Sequence, residues 1–421
     1  MKTYSMMETR AGKAAFGIFL FAMLVLARDT LVTSMVLGFN KSQFLMLGLI
    51  CLFGLAFLTV NRHHLKDILL DKRMILLGLS AVILLLPMLM KRDWQMMYFS
   101  ILICLFFAVF LTFFTGYQEV ARYYVISLTL LCLHSLVTMY LLKGMALQGK
   151  IAPPVLQNSA GQEFFNFGLS FVVPNAAWQR NFGIFREPGV YQFFLILGLY
   201  LNNYAADWKR LWQLWLVNLV LGMTMLSTFA IGGFVEMGLF AVFLYFDKKW
   251  YRGKWGKILG IGSAAAVIAA AAFVVSQINP HVYSATVYYE IYDMFLRLTT
   301  KSDSLVDRLA AIWVNVQHFL DKPLFGDAIA SVLHGTEHNT SSTLILYAIF
   351  GIAGGTLNAA AWVALLWKRE RNIFGNLVLL LILFMSFNTQ NLVADVFFWL
   401  FPYMALTQWV LPKLKLPERK A

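Results

Sequence analysis

The feature that most constrains this chain is a succession of about twelve apolar runs of roughly 17–25 residues, the length needed to cross about 30 Å of hydrocarbon. They cover about 14–36, 41–60, 74–90, 95–115, 122–142, 188–205, 211–227, 231–247, 258–277, 339–367, 373–389 and 392–411. In lipid the backbone must satisfy its own N–H and C=O groups, so runs of this kind fold as helices. The expectation is an all-α, polytopic membrane protein with about 12 transmembrane helices in a single domain, 1–421. Composition agrees, with 60% hydrophobic and 13% charged residues, against about 25% charged in soluble domains.

Charge placement gives the orientation. Lys2, Arg10 and Lys13 precede the first run, which lacks a small-residue cleavage site and is read as a retained span. Segments 61–73, 116–122, 206–210, 248–257, 368–372 and the tail 412–421 hold, with the N-terminus, most of the 34 Lys and Arg, whereas the opposite loops are balanced. By the positive-inside rule both termini are cytoplasmic, and the long loops 143–187 and 278–338 face outward. The net charge of +13 is thereby a topology signal, and nucleic acid is not an expected partner. Cys51, Cys104 and Cys132 lie inside apolar runs and read as packing residues, with no disulfide framework.

Chemistry-bearing residues gather on the outward side. In Arg180-Asn181-Phe182-Gly183-Ile184-Phe185-Arg186-Glu187-Pro188-Gly189, Glu187 must be extended because it precedes proline, and Pro188 suits the first position of a helix. Arg180 and Arg186 at that mouth read either as headgroup anchors or as a clamp for phosphate or carboxylate oxygens. The aromatic content of loop 143–187 predicts a segment lying against the membrane surface. A helix is predicted over 304–321, with a Ser304/Asp307 capping box and one apolar face of Leu305, Leu309, Ile312, Trp313, Val316 and Leu320. Arg308 lies beside that face, as a ligand or as a snorkelling side chain on a helix resting on the bilayer.

His338 precedes Asn339, and Asn339 or Thr340 is placed to cap the next helix, which should tilt or break at Gly351–Gly355. A histidine there is either interfacial or a general base. Glu236, inside an apolar run, is read as lining a cavity or pairing with an arginine. Asp29 is read as a local ion-pair partner of Arg28, with a catalytic carboxylate as the lesser reading. His281, His318 and His334 lack zinc-type spacing, so no metal or cofactor is expected.

Three of these segments, taken in order, resemble the bacterial O-antigen ligase and Wzy-type polysaccharide polymerase superfamily. Arg180-x-x-Gly183-x-Phe185-x-Glu187-Pro188 resembles the family's Arg-x-x-Gly-x-Phe-x-Glu-Pro segment. Arg308, Trp313 and Pro323-Leu324-Phe325-Gly326 resemble its second outer-loop segment, although Gly326-Asp327-Ala328 departs from the usual glycine-x-glycine. His338-Asn339 with the later Gly351/Gly354 break resembles its His-Asn motif. The likeness covers about 180–360.

The resemblance implies a metal-independent glycosyltransferase of the C-type membrane fold in a bacterial cytoplasmic membrane, its active site facing outward. It would polymerise undecaprenyl-pyrophosphate-linked oligosaccharide repeat units for capsule, exopolysaccharide or O-antigen. Arg180 and Arg308 would hold the donor pyrophosphate and His338 would activate the acceptor hydroxyl. Arg186, Asn339 and Glu236 join as substrate-binding candidates, and Glu187 as an alternative base. Partners would be the lipid-linked donor and acceptor, membrane lipid, and a chain-length regulator and flippase. The rivals are a ligase delivering finished glycan to another acceptor and, from another class, a lipid-linked oligosaccharide flippase or transporter. The absence of an evident internal repeat argues against a transporter built on duplicated halves.

Overall fold

The computed structural model describes residues 10–60, 62, 66, 68, 70–113, 115–158, 161–175, 180–253, 302–334, 339–388 and 390–410. Helices dominate: α1 (Arg10–Val25), α2 (Phe39–Val60), α3 (Lys72–Lys91), α4 (Met96–Leu111), α5 (Tyr117–Leu147), α6 (Pro188–Tyr204), α7 (Leu211–Ser227) and α8 (Ile231–Asp247) precede α9 (Ser302–Asp321), α10 (Ile329–His334), α11 (Ser342–Leu366), α12 (Ile373–Asn388) and α13 (Val396–Val410). The predicted run 258–277 lies outside the described residues.

Among the described residues α3, α5 and α11 are long and apolar enough to cross a membrane; α4, α7, α12 and parts of α1 and α2 are shorter apolar helices. The apolar runs outlast several helices because their ends unwind into turns. At a rise of about 1.5 Å per residue, helices of 15–17 residues such as α13 and α6 reach roughly 22–26 Å. Both are apolar nearly all round and are correspondingly buried. They form the middle of the molecule, where Phe397 and Phe401 of α13 pack on Tyr124 of α5. Trp399 of α13 is fully buried, its indole N–H donating to the Val393 carbonyl at 2.8 Å.

Several expectations change. The run 14–36 is not one helix: α1 stops at Val25, and a turn carrying Arg28-Asp29-Thr30 leads into a π-helical stretch, Val32–Leu37. Loop 143–187 begins later than read, because α5 continues through a π-helical segment to Leu147. The same loop contains a small antiparallel sheet, β1 (Val155–Gln157), β2 (Glu163–Asn166) and β3 (Phe171–Val172), in the order β1-β2-β3. The chain is thus predominantly helical, with this small sheet confined to one loop. The aromatic residues that read as a surface segment instead turn inward in part: Phe164 is buried and meets Phe182 edge-on, with ring centres 5.7 Å apart. Cys104 and Cys132 are buried, whereas Cys51 is exposed on α2 rather than packed inside.

Candidate functional site

The mouth of α6 is built from its own motif. The Asn181 side-chain oxygen accepts the Gly183 N–H at 2.9 Å, closing a turn that Gly183 completes with φ of 56°. A side chain at Gly183 would also run into the Tyr191 ring, so glycine is required on both counts. Asn181, buried, donates its amide to Ser227 at 2.9 Å and Ser135 at 3.2 Å, tying the turn to α7 and α5. Phe182, Ile184 and Phe185 then enter the core, Phe185 stacking on Phe194 of α6 with ring centres 4.3 Å apart. Glu187 is extended, at φ −156° and ψ 157°, and Pro188 opens the helix.

This strand-like approach pairs with the unwound part of the first apolar run. Leu31 donates to the Ile184 carbonyl at 2.7 Å, and Arg186 donates its backbone N–H to the Asp29 carbonyl at 2.9 Å. The Arg186 guanidinium lies 3.0 Å from Asp29 and 3.5 Å from Glu187. Asp29 is thus a partner of Arg186, across 157 residues of chain, as well as a neighbour of Arg28.

Arg28, Asp29, Thr30, Ser34, Arg186 and Asn391 line a cavity of about 250 Å³. Behind it Asp395 is fully buried, with Oδ1 accepting the Phe397 N–H at 2.8 Å, and it couples electrostatically to Asp29 and Arg28. One carboxylate oxygen of Asp29 and one of Asp395 are buried without a hydrogen-bond partner among the described residues. Leaving such an acceptor unpaired costs about 1–3 kcal/mol or more, so buried orphans mark places where a ligand hydroxyl or water is taken up.

The second half of the site is a lock between α9 and α11. Helix α11 breaks at Gly351, with φ of 65° and ψ of −161°. Into this break the turn after α9 inserts backbone first. Ile352 donates to the Pro323 carbonyl at 2.7 Å and Asp327 donates to the Ala348 carbonyl at 2.7 Å. Gly326, with φ of 65°, faces the Ala348 and Ile349 carbonyls, and Gly351 faces the Leu324 carbonyl; a Cβ on either would collide with that backbone. The Lys91 ammonium at the end of α3 seals the joint, donating to the carbonyls of Asp327 at 2.8 Å and Ile349 at 2.5 Å.

Asp327, the departure from the glycine-x-glycine pattern, organises this corner. Its carboxylate accepts from Lys322 and from the Ala328 N–H, each at 2.7 Å, and meets His318 Nδ1 at 3.1 Å. Burial pushes its pKa up, but the hydrogen bonds from Lys322, Ala328 and His318 outweigh this and hold it below the usual value.

The face that α9 presents to its neighbours differs from the apolar face read in sequence. Ala311 and Asn315 are buried and Phe319 meets Tyr347 of α11 edge-on at 5.5 Å, whereas Trp313 and Leu320 are 60% and 65% exposed. Asn315 and Asn339 exchange amide hydrogen bonds at 2.8 and 2.9 Å, and Asn339 also donates to the Val332 carbonyl at 3.2 Å. Asn339 is therefore engaged in joining α9 and α10 to the start of α11, and it does not cap that helix. The cap position is Ser341, and the Asn388 side chain accepts from the Thr343 N–H at 3.2 Å and the Ser341 hydroxyl at 2.8 Å. Helix α9 also begins two residues before the predicted capping box.

The two halves meet at the turn before α13. Gly189 of α6 packs on the Gln390 side chain, the Gln390 carbonyl accepts the Ser342 hydroxyl, and Ser342 in turn accepts the Leu392 N–H at 2.8 Å. The starts of α6 and α11 are thereby adjacent, and through Asn339 and Asn315 the contact path reaches α9. Arg308 stands on α9 two turns before Asn315; its side chain and the whole of His338 lie outside the described residues. Arg180 approaches the Thr228 carbonyl at 3.4 Å, just before the start of α8. Glu236 is buried within α8, facing Ser386 of α12, with Oε2 lacking a hydrogen-bond partner among the described residues. No group of three or more His, Cys, Asp and Glu among the described residues is arranged to hold a metal ion.

Comparison with protein-family models, curated proteins and solved structures finds no match to this chain.

Asn391, Asp395 and Asn181 were not singled out in the sequence. A charged residue at the start of an apolar run was the available signal for Asp395; the other two carry none beyond polarity.

Proposed function

We propose that this chain polymerises undecaprenyl-pyrophosphate-linked oligosaccharide repeat units outside a bacterial cytoplasmic membrane, within a C-type glycosyltransferase fold of about twelve spans. The observation that carries the reading is the continuous contact path from Arg186 and Glu187, through Gly189, Gln390 and Ser342, to Asn339, Asn315 and α9. It links the described parts of the three segments on which the resemblance rests, with a polar cavity beside the first of them, and so supports the reading.

In this reading the donor pyrophosphate sits against Arg180 and Arg308, whose planar guanidinium groups match phosphate oxygens. Their positive charge offsets that building on the leaving pyrophosphate. His338 takes the proton from the acceptor hydroxyl as it attacks the anomeric carbon of the donor sugar, and undecaprenyl pyrophosphate departs. Arg186, held by Asp29, and the unpaired oxygen of Asp29 receive sugar hydroxyls in the cavity. Glu187, 45% exposed, orients Arg186 or meets a sugar directly.

The test is polymer formation by purified protein from a defined lipid-linked repeat unit in EDTA. Ladders of lipid-linked polymer are expected, abolished by His338→Ala and impaired by Arg308→Lys, with protein level and membrane insertion unchanged. Transfer to a different acceptor would make the chain a ligase, movement of the substrate without bond formation would make it a flippase, and polymer from the His338→Ala variant would remove the proposed base.

A further inference from the structure

A second charged cluster lies at the opposite end of α6, where that helix, α8 and α11 terminate together. Three cations surround one ring. The ammonium nitrogens of Lys248 and Lys368 lie 4.5 and 4.7 Å from the centre of Tyr204, and the Arg371 guanidinium carbon lies 4.9 Å from it. One carboxylate, Asp247, faces them, and both its oxygens are taken: Oδ2 accepts the Tyr204 hydroxyl at 2.5 Å and Oδ1 the Arg371 Nε at 2.8 Å. Arg371 also donates to the Leu366 carbonyl at 3.0 Å.

Capping helix C-termini accounts for part of this arrangement, since cations favour the negative ends of helices. It accounts for Arg371 on Leu366 and for the long contact of Lys248 with the Asn203 carbonyl, 3.3 Å. It does not account for Lys368. That ammonium is half-buried and has no hydrogen-bond acceptor among the described residues; the Tyr204 ring is its one close partner there. Its pKa is lowered, first by burial and then by Arg371 and Lys248, against the smaller pull of Asp247 and the exposed Glu370. The positive potential at Lys368 is thus not cancelled by the acids around it. A half-buried ammonium with three unused donors, flanked by a second ammonium and an oriented guanidinium, matches the several oxygens of one phosphate. The surroundings are those of a membrane interface: Trp367 and Phe246 are exposed at the ends of α11 and α8, and Trp250 follows.

We propose that Lys248, Lys368 and Arg371, gathered around Tyr204, form a binding site for a phosphate oxyanion, of the kind carried by an anionic phospholipid headgroup or by free phosphate. Lys368 and Lys248 contact the oxyanion, Asp247 orients Arg371 behind them, and Tyr204 holds the three cations at a common distance. The site is independent of the transferase reading, being at the other end of the bundle.

The experiment uses the full chain in a neutral detergent. Thermal unfolding is followed while short-chain phosphatidylglycerol, short-chain phosphatidylcholine or inorganic phosphate is titrated, with chloride matching the ionic strength. Wild type should show a saturable rise in midpoint with phosphatidylglycerol and not with phosphatidylcholine. Lys368→Met and Lys248→Met should each weaken that response about tenfold, roughly 1.4 kcal/mol, whereas Lys209→Met, an exposed lysine of the turn before α7, should stay within about twofold. A rise with inorganic phosphate over chloride, lost in the same two variants, would identify free phosphate as sufficient; a rise confined to phosphatidylglycerol identifies the headgroup. The proposal is overturned if Lys209→Met weakens the response as much as Lys368→Met, or if wild type distinguishes neither phosphatidylglycerol from phosphatidylcholine nor phosphate from chloride. Should Lys368→Met fold poorly, the exposed Lys248→Met decides.

Discussion

Replacing Gly351 by alanine tests whether the break in α11 is what assembles the second half of the site. At φ of 65° and ψ of −161°, Gly351 occupies a region that side-chain-bearing residues enter at a cost of about 1–3 kcal/mol. The added methyl would also strike the Leu324 carbonyl and the Phe325 nitrogen, and forcing a carbon into close-packed backbone costs about 1–3 kcal/mol more. The structure can escape the collision by lifting the 323–326 turn out of the break. That would sacrifice the bonds Ile352 to Pro323 and Asp327 to Ala348, and loosen the Lys91 seal. A local destabilisation of about 3 kcal/mol is expected, read as roughly hundredfold faster hydrogen exchange at the amides of Ile352 and Asp327. Gly326→Ala strikes the same joint from the other side, against the Ala348 and Ile349 carbonyls, so the double variant should cost less than the two single ones together. Gly222→Ala in α7, where a Cβ meets nothing within 4 Å, is the control and should be neutral or stabilising by up to about 1 kcal/mol. Wild-type exchange at both amides in Gly351→Ala, with polymer formation intact, would refute the reasoning.

Two further outcomes follow from the electrostatics. In a double-mutant cycle Asp29→Asn and Arg186→Ala should couple by about 1–2 kcal/mol in thermal unfolding, between the values for surface and buried pairs, because Asp29 is buried while the Arg186 side chain is 43% exposed; additive losses would show that the pair contributes nothing. Because the pKa of Asp327 is depressed in the folded protein, its stabilisation is present above the ordinary carboxyl value of 3.8 and is lost as pH falls below it. Amide exchange at Asp327 and Ala328, corrected for intrinsic rates, should therefore accelerate on acidification more in wild type than in Asp327→Asn, and parallel profiles would contradict the assignment.

Some of the site was legible because the chemistry is local. An X-Pro step leaves one choice for Glu187 and favours a helix start at Pro188, so the α6 start follows from two residues. The glycines of the α11 stretch marked a break for the same reason. The partner of Arg186 was not legible. Asp29 sits beside Arg28 in sequence, and a neighbour is the natural guess; nothing in the order of residues says that the first apolar run unwinds there to pair with 184–186. The face by which α9 packs on its neighbours was not legible for a related reason. Periodicity located an apolar stripe over Trp313 and Leu320, and those two side chains are left exposed, because an apolar stripe need not be the one that faces protein. The packing face is instead the one with Ala311 and Asn315, where a small side chain allows close approach and two amides satisfy each other.

By itself the sequence determined that this chain is a largely helical protein of apolar helices, where α6, α7, α8 and α12 begin, and where the charged residues concentrate. Those properties depend on composition and on spacing within one or two helical turns. Only the tertiary structure decided that α6 and α11 start side by side through Gln390, that the turn at Gly326 seats in the break at Gly351, and that Arg28, Asp29, Arg186 and Asn391 line one cavity. Each rests on contacts between residues from about twenty to more than a hundred positions apart, set by which backbone carbonyls are left open and which glycines let another strand of backbone approach them.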